Sequence, residues 1–585
     1  MANVNIFEGG PRLVSQKIKR RLKRLLEASG YHSSCGISNS DLKEQAGTVF
    51  ENPIKISVIS PLYNTNKKYL RKMIESVCRQ SYANWELCLA DASDERHAYV
   101  REICQDFSIK DTRILYKRLN ENGGISANTN EAVKLASGDY LSLIDHDDEY
   151  TKNALFEIVK AINEHNPDVL YSDEDRITID GKRESPFYKP DFSPDLLYSQ
   201  MYTCHIFVIK KELFLELNGL DSRFDGSQDY DFMLRLSEKT NNIYHIPKIL
   251  YSWRQTETSM SMNPDSKPYA HMAGLNALDS HLKRKYGKQA FAEETKNLCV
   301  YSARFPLSEE KPLVSIIIPT KDYADLLSNC IQSILEKTAY QNYEILILDN
   351  LSMQPETFDF FEEIKKENPN VRIISADMEF NWSKLSNLGI QKAKGVVFVF
   401  LNNDTFVISE NWLEILAENA LREDIGAAGA LLLYENETIQ HAGVVVGMNG
   451  WADHVYKGSK PIHSSSPFVS PVINRNVLAV TGACMAISKK TIMQIGSFDE
   501  NFIICGSDVE ICLRAHKNGL YNIFCAGAQL YHLESKSRNS FIPGIDFVMS
   551  EKHYNEFRKS GDPFFNPNLD LSNTTPTRTT CRKER

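Results

Sequence analysis

The chain has 585 residues, 42% hydrophobic and 24% charged, a globular composition too long for one ordinary core, so two or three domains are expected. Its formal net charge of -9 argues against a general nucleic-acid binder. The 12 cysteines show no CxxC pair and no short metal-ligand spacing. That argues against a zinc site or disulfide framework, and Cys78, Cys88, Cys330 and Cys484 read as small core residues in a reducing cytosol.

The first 50 residues stand apart. RLVSQKIKRRLKRLLEASG (12–30) sets Val14, Ile18, Leu22, Leu25 and Leu26 at helical spacing, with Lys17, Lys19, Arg20, Arg21, Lys23 and Arg24 around them. A basic amphipathic helix of this kind suits an anionic membrane surface, where each cation adds about 1 kcal/mol. The alternative is a helix docked on its own domain. No apolar run approaches the roughly 20 residues that span a bilayer, and no signal-peptide core opens the chain. A cytoplasmic location is expected.

From residue 51 the chain repeats itself. ISVISPLYNTNKKYLRKMIESVCRQSYANWELCLADAS (56–93) parallels VSIIIPTKDYADLLSNCIQSILEKTAYQNYEILILDNLS (314–352). Each holds a β-branched strand with Pro61 or Pro319, a helical pattern, Tyr82 or Tyr340, and a strand ending in Asp91 or Asp349. Downstream, Asn130 pairs with Asn387, Gly138 with Gly395, Asp147 with Asp404, Asp229 with Asp508 and Arg235 with Arg514. Continuous apolar strands alternating with helices predict two α/β domains, each with a largely parallel sheet covered on both faces. The expected boundaries are 51–304, a linker at 305–312, 313–545, and a polar, partly disordered tail at 546–585.

Ligands of open parallel sheets bind beyond the carboxyl ends of the strands. Asp91, Asp145 and Asp147 fall at such ends, without the GxGxxG turn or P-loop that would cradle phosphates. Asp145 and Asp147 can instead share Mg²⁺ or Mn²⁺, which bridges carboxylates to substrate phosphates. A solvated acidic turn is the alternative, and the recurrence of Asp404 in LNNDT weighs against it. Asp229 and Asp508 each open a helical pattern next to a glycine-serine pair, a position for a general base. Asp231 and Glu510 fit helix-end partners equally well.

These motifs together resemble family 2 glycosyltransferases of the GT-A fold, a Rossmann-like architecture, present here twice. The first half carries ISVISPLYN, WELCLADAS, SGDYLSLIDHDDE, YSDEDRI, FYKPDFSPDLL and GSQDYDFMLRL. The second carries VSIIIPTKD, FNWSKLSNLGIQKAKG, FLNNDT, TGACMAISKK, GSFDENF and GSDVEICLRA. The tandem layout is similar to proteins of bacterial O-antigen, capsule and rhamnose-polymer synthesis. The resemblance implies inverting transfer of a sugar from a UDP- or dTDP-linked donor to a glycan or lipid-linked glycan, at the cytoplasmic face of the inner membrane. It implies Asp91 and Asp349 on the nucleotide, Asp145 and Asp147 as the metal-binding DxD with Asp404 its remnant, and Asp229 and Asp508 as bases. It also implies His532 as a metal ligand.

The chain departs from the family pattern in places. Asn402 replaces the first acid of the second DxD and offers only an amide oxygen to a cation or donor. Gln228 replaces the usual Glu before the base. Arg254 stands where a late histidine is expected in the first domain, and would hold phosphate. The segment 437–458 suits an acceptor wall, with Trp451, His454 and Tyr456 able to meet sugar. One active domain beside a degenerate, glycan-binding or structural one is the alternative to two active sites. A nucleotidyltransferase would need a Gly-rich activation loop that is not seen.

Overall fold

The computed structural model describes residues 37–255, 267–533 and 542–579. The basic segment 12–30 lies outside them.

Two mixed, mainly parallel sheets repeat one strand order. The first runs Ile114–Arg118, Trp85–Asp91, Ile56–Leu62, Tyr140–Leu143, Phe207–Lys210, Val169–Ile177, Ile243–Arg254 and Glu149–Tyr150. The second runs Val371–Ser375, Tyr343–Asp349, Val314–Thr320, Val397–Leu401, Cys484–Ser488, Ile425–Leu433, Tyr521–His532 and Thr405–Val407. The central strands are buried on both faces, which is why they read as unbroken apolar runs. Both domains have the expected GT-A architecture.

The prolines explain where the clefts open. Pro61 pairs with Ala90 on one side, but pairing with Tyr140–Leu143 on the other stops at Ile59. Pro319 pairs with Leu348, and its other partner strand stops at Ile317. A proline has no N–H for a ladder, so it sits where the two central strands part. Both prolines line a cavity.

The repeat reaches single hydrogen bonds. Ser57 Oγ donates to Glu86 Oε1 at 2.6 Å and accepts from Gly138 N at 2.9 Å. Ser315 Oγ donates to Glu344 Oε1 at 2.7 Å and accepts from Gly395 N at 2.9 Å. A Cβ at either glycine would meet a carbonyl oxygen at 2.6 Å, so only glycine fits. Asn130 exchanges two bonds with the backbone of Leu220, and Asn387 two with that of Phe498. Arg235 ties Asp231 to the Leu217 and Gly219 carbonyls, and Arg514 ties Glu510 to those of Ile495 and Ser497. Asp231 and Glu510 are thus braces of the helices that carry Asp229 and Asp508.

The domains share a core. Met448, Phe468, Val469, Phe565 and Leu569 pack with Leu196, Leu197 and Tyr202 of the first domain. Buried Arg422 ion-pairs with buried Asp195, whose other oxygen accepts from Asn476 Nδ2 at 2.7 Å. Asn476 Oδ1 accepts from Asp195 N at 3.0 Å and from Ser193 Oγ at 2.9 Å. The FSPDLL motif is therefore a joint to the second domain.

The tail, expected to be partly disordered, is packed over its described residues as far as 579. Gly544–Ser560 is a helix, and Asp546 near its start accepts from the amides of Ile503, Ile504 and Cys505. Beyond it, Phe564, Phe565 and Leu569 are buried. Asn566 Nδ2 donates to Asp173 of the first domain at 3.0 Å and to the Lys189 carbonyl at 2.8 Å. A few apolar anchors and a buried carboxylate in want of donors hold a polar sequence that composition alone marks as loose.

Removing one partner of a buried ion pair strands the other charge, which costs about 3–5 kcal/mol. Asp195→Ala is expected to lower stability by about that amount in urea unfolding. A loss under about 1 kcal/mol, the range of an exposed pair, would show that the joint carries little.

Candidate active sites

The first-domain cavity holds about 560 Å³ and is lined by Asp145, Asp147, His205, Asp229, Trp253 and Arg254, among others. Asp145 and Asp147 leave the end of Tyr140–Leu143, and the Asp145 side chain is 47% exposed. Enclosure in the cleft raises its pKa, as do Asp147 and Asp229, while His205 and His146 oppose them. Asp148 behaves differently. It is fully buried, accepts from Tyr251 Oη at 2.6 Å and Arg254 N at 2.7 Å, and burial pushes its pKa well up. Of the acids in DHDDE, two face the cavity and Asp148 holds the turn.

Asp229 sits in the first turn of the helix Gln228–Ser237. Its Oδ1 accepts from Tyr230 N at 2.9 Å and its Oδ2 from Cys204 Sγ at 2.8 Å. Burial and the carboxylate keep that thiol protonated, so it acts as a donor that orients the acid.

The second-domain cavity, also about 560 Å³, is lined by Asn402, Asp404, Gln440, His454, Asp508 and His532, among others. Asp508 repeats the geometry of Asp229. It lies in the first turn of Ser507–Lys517, with Oδ1 accepting from Val509 N at 2.9 Å and Oδ2 from Gly482 N at 2.9 Å. His532 Nε2 is 3.2 Å from Asp404 Oδ1 and 3.2 Å from Asn402 Nδ2.

Other expected residues are placed differently. Asp91 is fully buried, bonded by Tyr116 Oη and Ser93 N at 2.8 Å and paired with Arg118 at 3.3 Å, and is not among the cavity-lining residues. Asp349 accepts from Ser352 N at 3.1 Å, and its neighbour Asn350 lines the second cavity instead. Arg254 reaches the first cavity wall, yet its guanidinium pairs with Glu149 and donates to the Asp147 carbonyl at 2.7 Å. Register aligns Trp253, rather than Arg254, with His532, because Glu149 faces Ser252 and Thr405 faces His532. Trp451 packs on Phe547 with ring centres 5.2 Å apart, and half-buried Tyr456 donates to the Val469 carbonyl, so of these three residues in 437–458 only His454 lines the cavity.

His205 was missed from the sequence. It precedes Phe207–Lys210, at the place of Ala483 in the other domain, where strand register pairs Phe207 with Leu143 and Met485 with Phe400. Its Nε2 lies 3.9 Å from Asp145 Oδ2. Burial alone would discharge it, but Glu174, then Asp145 and Asp148, hold its pKa up to about 9. Fully buried Lys189 bonds Glu174 at 3.0 Å and the carbonyls of Cys204 and His205 at 2.7 and 2.9 Å. The signal was the unexplained pair of YSDEDRI and FYKPDFSPDLL, which supply Glu174 and Lys189.

Among the described residues no group of three or more His, Cys, Asp or Glu is clustered to hold a metal ion. The donors nonetheless fit a hard cation that keeps only one or two protein ligands and completes its shell with phosphate and water. Asp145 and Asp147 open into one cavity, and Asp404 and Asn402 converge on His532.

Set against known proteins, the profile described as Glycosyl transferase family 2 matches residues 57–216 and again 315–462. The chain belongs to glycosyl transferase family 2. It carries the family's domain twice, as the motifs led one to expect. It is 36% identical to the uncharacterized protein y4gI of Sinorhizobium fredii over 540 residues, covering 89% of this chain and 58% of that protein. It is 37% identical to the O-antigen biosynthesis protein RfbC of Myxococcus xanthus over 524 residues, covering 89% of this chain and 40% of that protein. The chain thus spans about half the length of the curated relatives it matches. Among solved structures, S. aureus TarS 1-349 in complex with UDP-GlcNAc matches at 20% identity, covering 40% of this chain and 73% of that one, with a TM-score of 0.32.

His205 binds its proton more tightly folded than unfolded. Its contribution to stability is full below about pH 6.5 and is lost as the pH rises through about 9. His205→Gln is therefore expected to flatten the fall in melting temperature between pH 6.5 and 9. An unchanged slope would show that Glu174 and Asp145 do not hold the charge.

Proposed function

We propose that the chain is an inverting glycosyltransferase with two active sites. Each moves a sugar from a UDP- or dTDP-linked donor to a growing glycan. The observation that carries this reading is the recurrence, in two cavities of equal size, of a carboxylate fixed in the first turn of a helix opposite a polar strand end.

In this reading Asp229 or Asp508 takes the proton of an acceptor hydroxyl. The alkoxide oxygen bonds to the anomeric carbon as the bond to the diphosphate oxygen breaks, and the diphosphate leaves with the electron pair. The carbon inverts in that single displacement. A bound Mg²⁺ or Mn²⁺, held by Asp145 and Asp147 or by Asp404, His532 and the Asn402 amide oxygen, would neutralise the leaving group. His205 adds positive charge beside Asp145, and Arg254 braces the loop that presents Asp147. Asn350 is better placed than Asp349 to meet the nucleotide in the second domain.

The name of the Myxococcus relative supports a bacterial surface polysaccharide as the product. A lipid-linked acceptor at the cytoplasmic face of the membrane agrees with the basic segment 12–30, and no helix among the described residues is long and apolar enough to cross a membrane. Asn402 favours a second reading, in which the second domain binds glycan without turning over.

Asp229→Asn and Asp508→Asn remove the two bases one at a time. Each is expected to abolish one linkage, with a loss of about 10²–10⁴-fold, and to spare the other when products are resolved on defined acceptors. Loss of a single linkage across both variants favours the second reading. Full activity in both would overturn the assignment of the bases.

A further inference from the structure

The second cavity holds polar groups that the transfer step does not use. Ile439–His441 pairs with Ile425–Leu433 so that His441 faces Leu432 and Ile439 faces Leu433. Gln440 is the extra residue of a β-bulge, a device that re-aims a side chain. It lines the cavity and is 4% exposed, and its Oε1 is buried with no hydrogen-bond partner. Buried polar atoms in folded proteins are almost always bonded, so an orphan acceptor on a side chain of the cavity wall points to a ligand that donates once the side chain turns toward it.

A proton relay fixes the neighbouring group. The Gly443 amide donates to His441 Nε2 at 3.4 Å, so that nitrogen is an acceptor. His441 is fully buried, and burial, then the nearby His454 and Arg475, keep it neutral. A neutral imidazole has one proton, which must lie on Nδ1. That atom is 2.8 Å from His454 Nδ1, which therefore accepts. The proton of His454 is then on Nε2, and the ring lines the same cavity as Gln440.

We propose that Gln440 and His454 form a recognition subsite for a sugar hydroxyl that the first domain lacks. One side chain accepts from the hydroxyl and the other donates to it, and His441 is the positioning residue that sets the His454 tautomer. The corresponding hairpin strand of the first domain, Arg183–Phe187, contributes none of the residues that line its cavity. The two domains thus select different sugars. This inference rests on the glycosyltransferase reading, and the hydroxyl belongs to either the donor sugar or the acceptor sugar.

The test uses the full chain carrying Asp229→Asn, so that only the second site turns over. UDP-glucose, UDP-galactose, UDP-GlcNAc and dTDP-rhamnose serve as donors, and the matching p-nitrophenyl glycosides as acceptors. Gln440→Leu is expected to lower kcat/KM about 5–150-fold through KM at an unchanged melting temperature, and His454→Leu to do the same with a lower melting temperature, because it strands the buried Nδ1 proton of His441. His454→Gln, which keeps a donor near Nε2, should recover most of the loss. A rise in donor KM that persists when nucleotide release is measured without acceptor assigns the hydroxyl to the donor. A rise in acceptor KM alone assigns it to the acceptor. Unchanged KM for both substrates overturns the subsite and leaves the transferase reading intact. Failure of the Asp229→Asn protein to bind or turn over any of these donors overturns the two-site reading, and the subsite with it.

Discussion

Each half of this chain brings acidic groups to the place where the two central strands stop pairing. Carboxylates there repel one another, and enclosure strengthens the repulsion. The fold therefore has to supply charge or hydrogen bonds to hold them. In the first domain burial raises the pKa of Asp148, which is tied by Tyr251 and the Arg254 amide, while His205 stands beside Asp145. In the second, Asn402 removes one negative charge and His532 sits against Asp404. Asp145 and Asp147 keep their oxygens toward the cleft, as a site for a cation and a diphosphate requires.

The two solutions differ, so the halves are not interchangeable copies. A buried lysine holds the first site from behind, because Lys189 clamps Glu174 and the backbone that carries Cys204 and His205. The second site depends on its own strand and bulge. The tail from the second domain reaches Asp173, the residue beside Glu174, through Asn566. Together with Arg422 and Asp195, this ties the two halves to each other.

Much of this was legible in the sequence because the repeat preserves both scaffold and site. The two α/β domains, the glycine pair Gly138 and Gly395, and the paired carboxylates Asp229 and Asp508 at helix starts were all visible as repeated residues. What stayed hidden was tertiary. Asp91 ends a strand as expected, but Tyr116 and Arg118 on the neighbouring strand claim it. Arg254 looked free for phosphate until Glu149 was seen to take it. His205 and Gln440 carry no periodic signal, since one precedes a strand and the other is a bulge. The described part of the tail is held by apolar anchors with Asp546, Asn566 and Asn568, which its composition does not reveal.

The most direct measurement is the anomalous diffraction of crystals soaked with Mn²⁺ and UDP. The account predicts manganese between Asp145 and Asp147 and again beside Asp404 and His532, each with a diphosphate in the same cleft. Manganese and nucleotide bound elsewhere, or absent from both clefts, would contradict it.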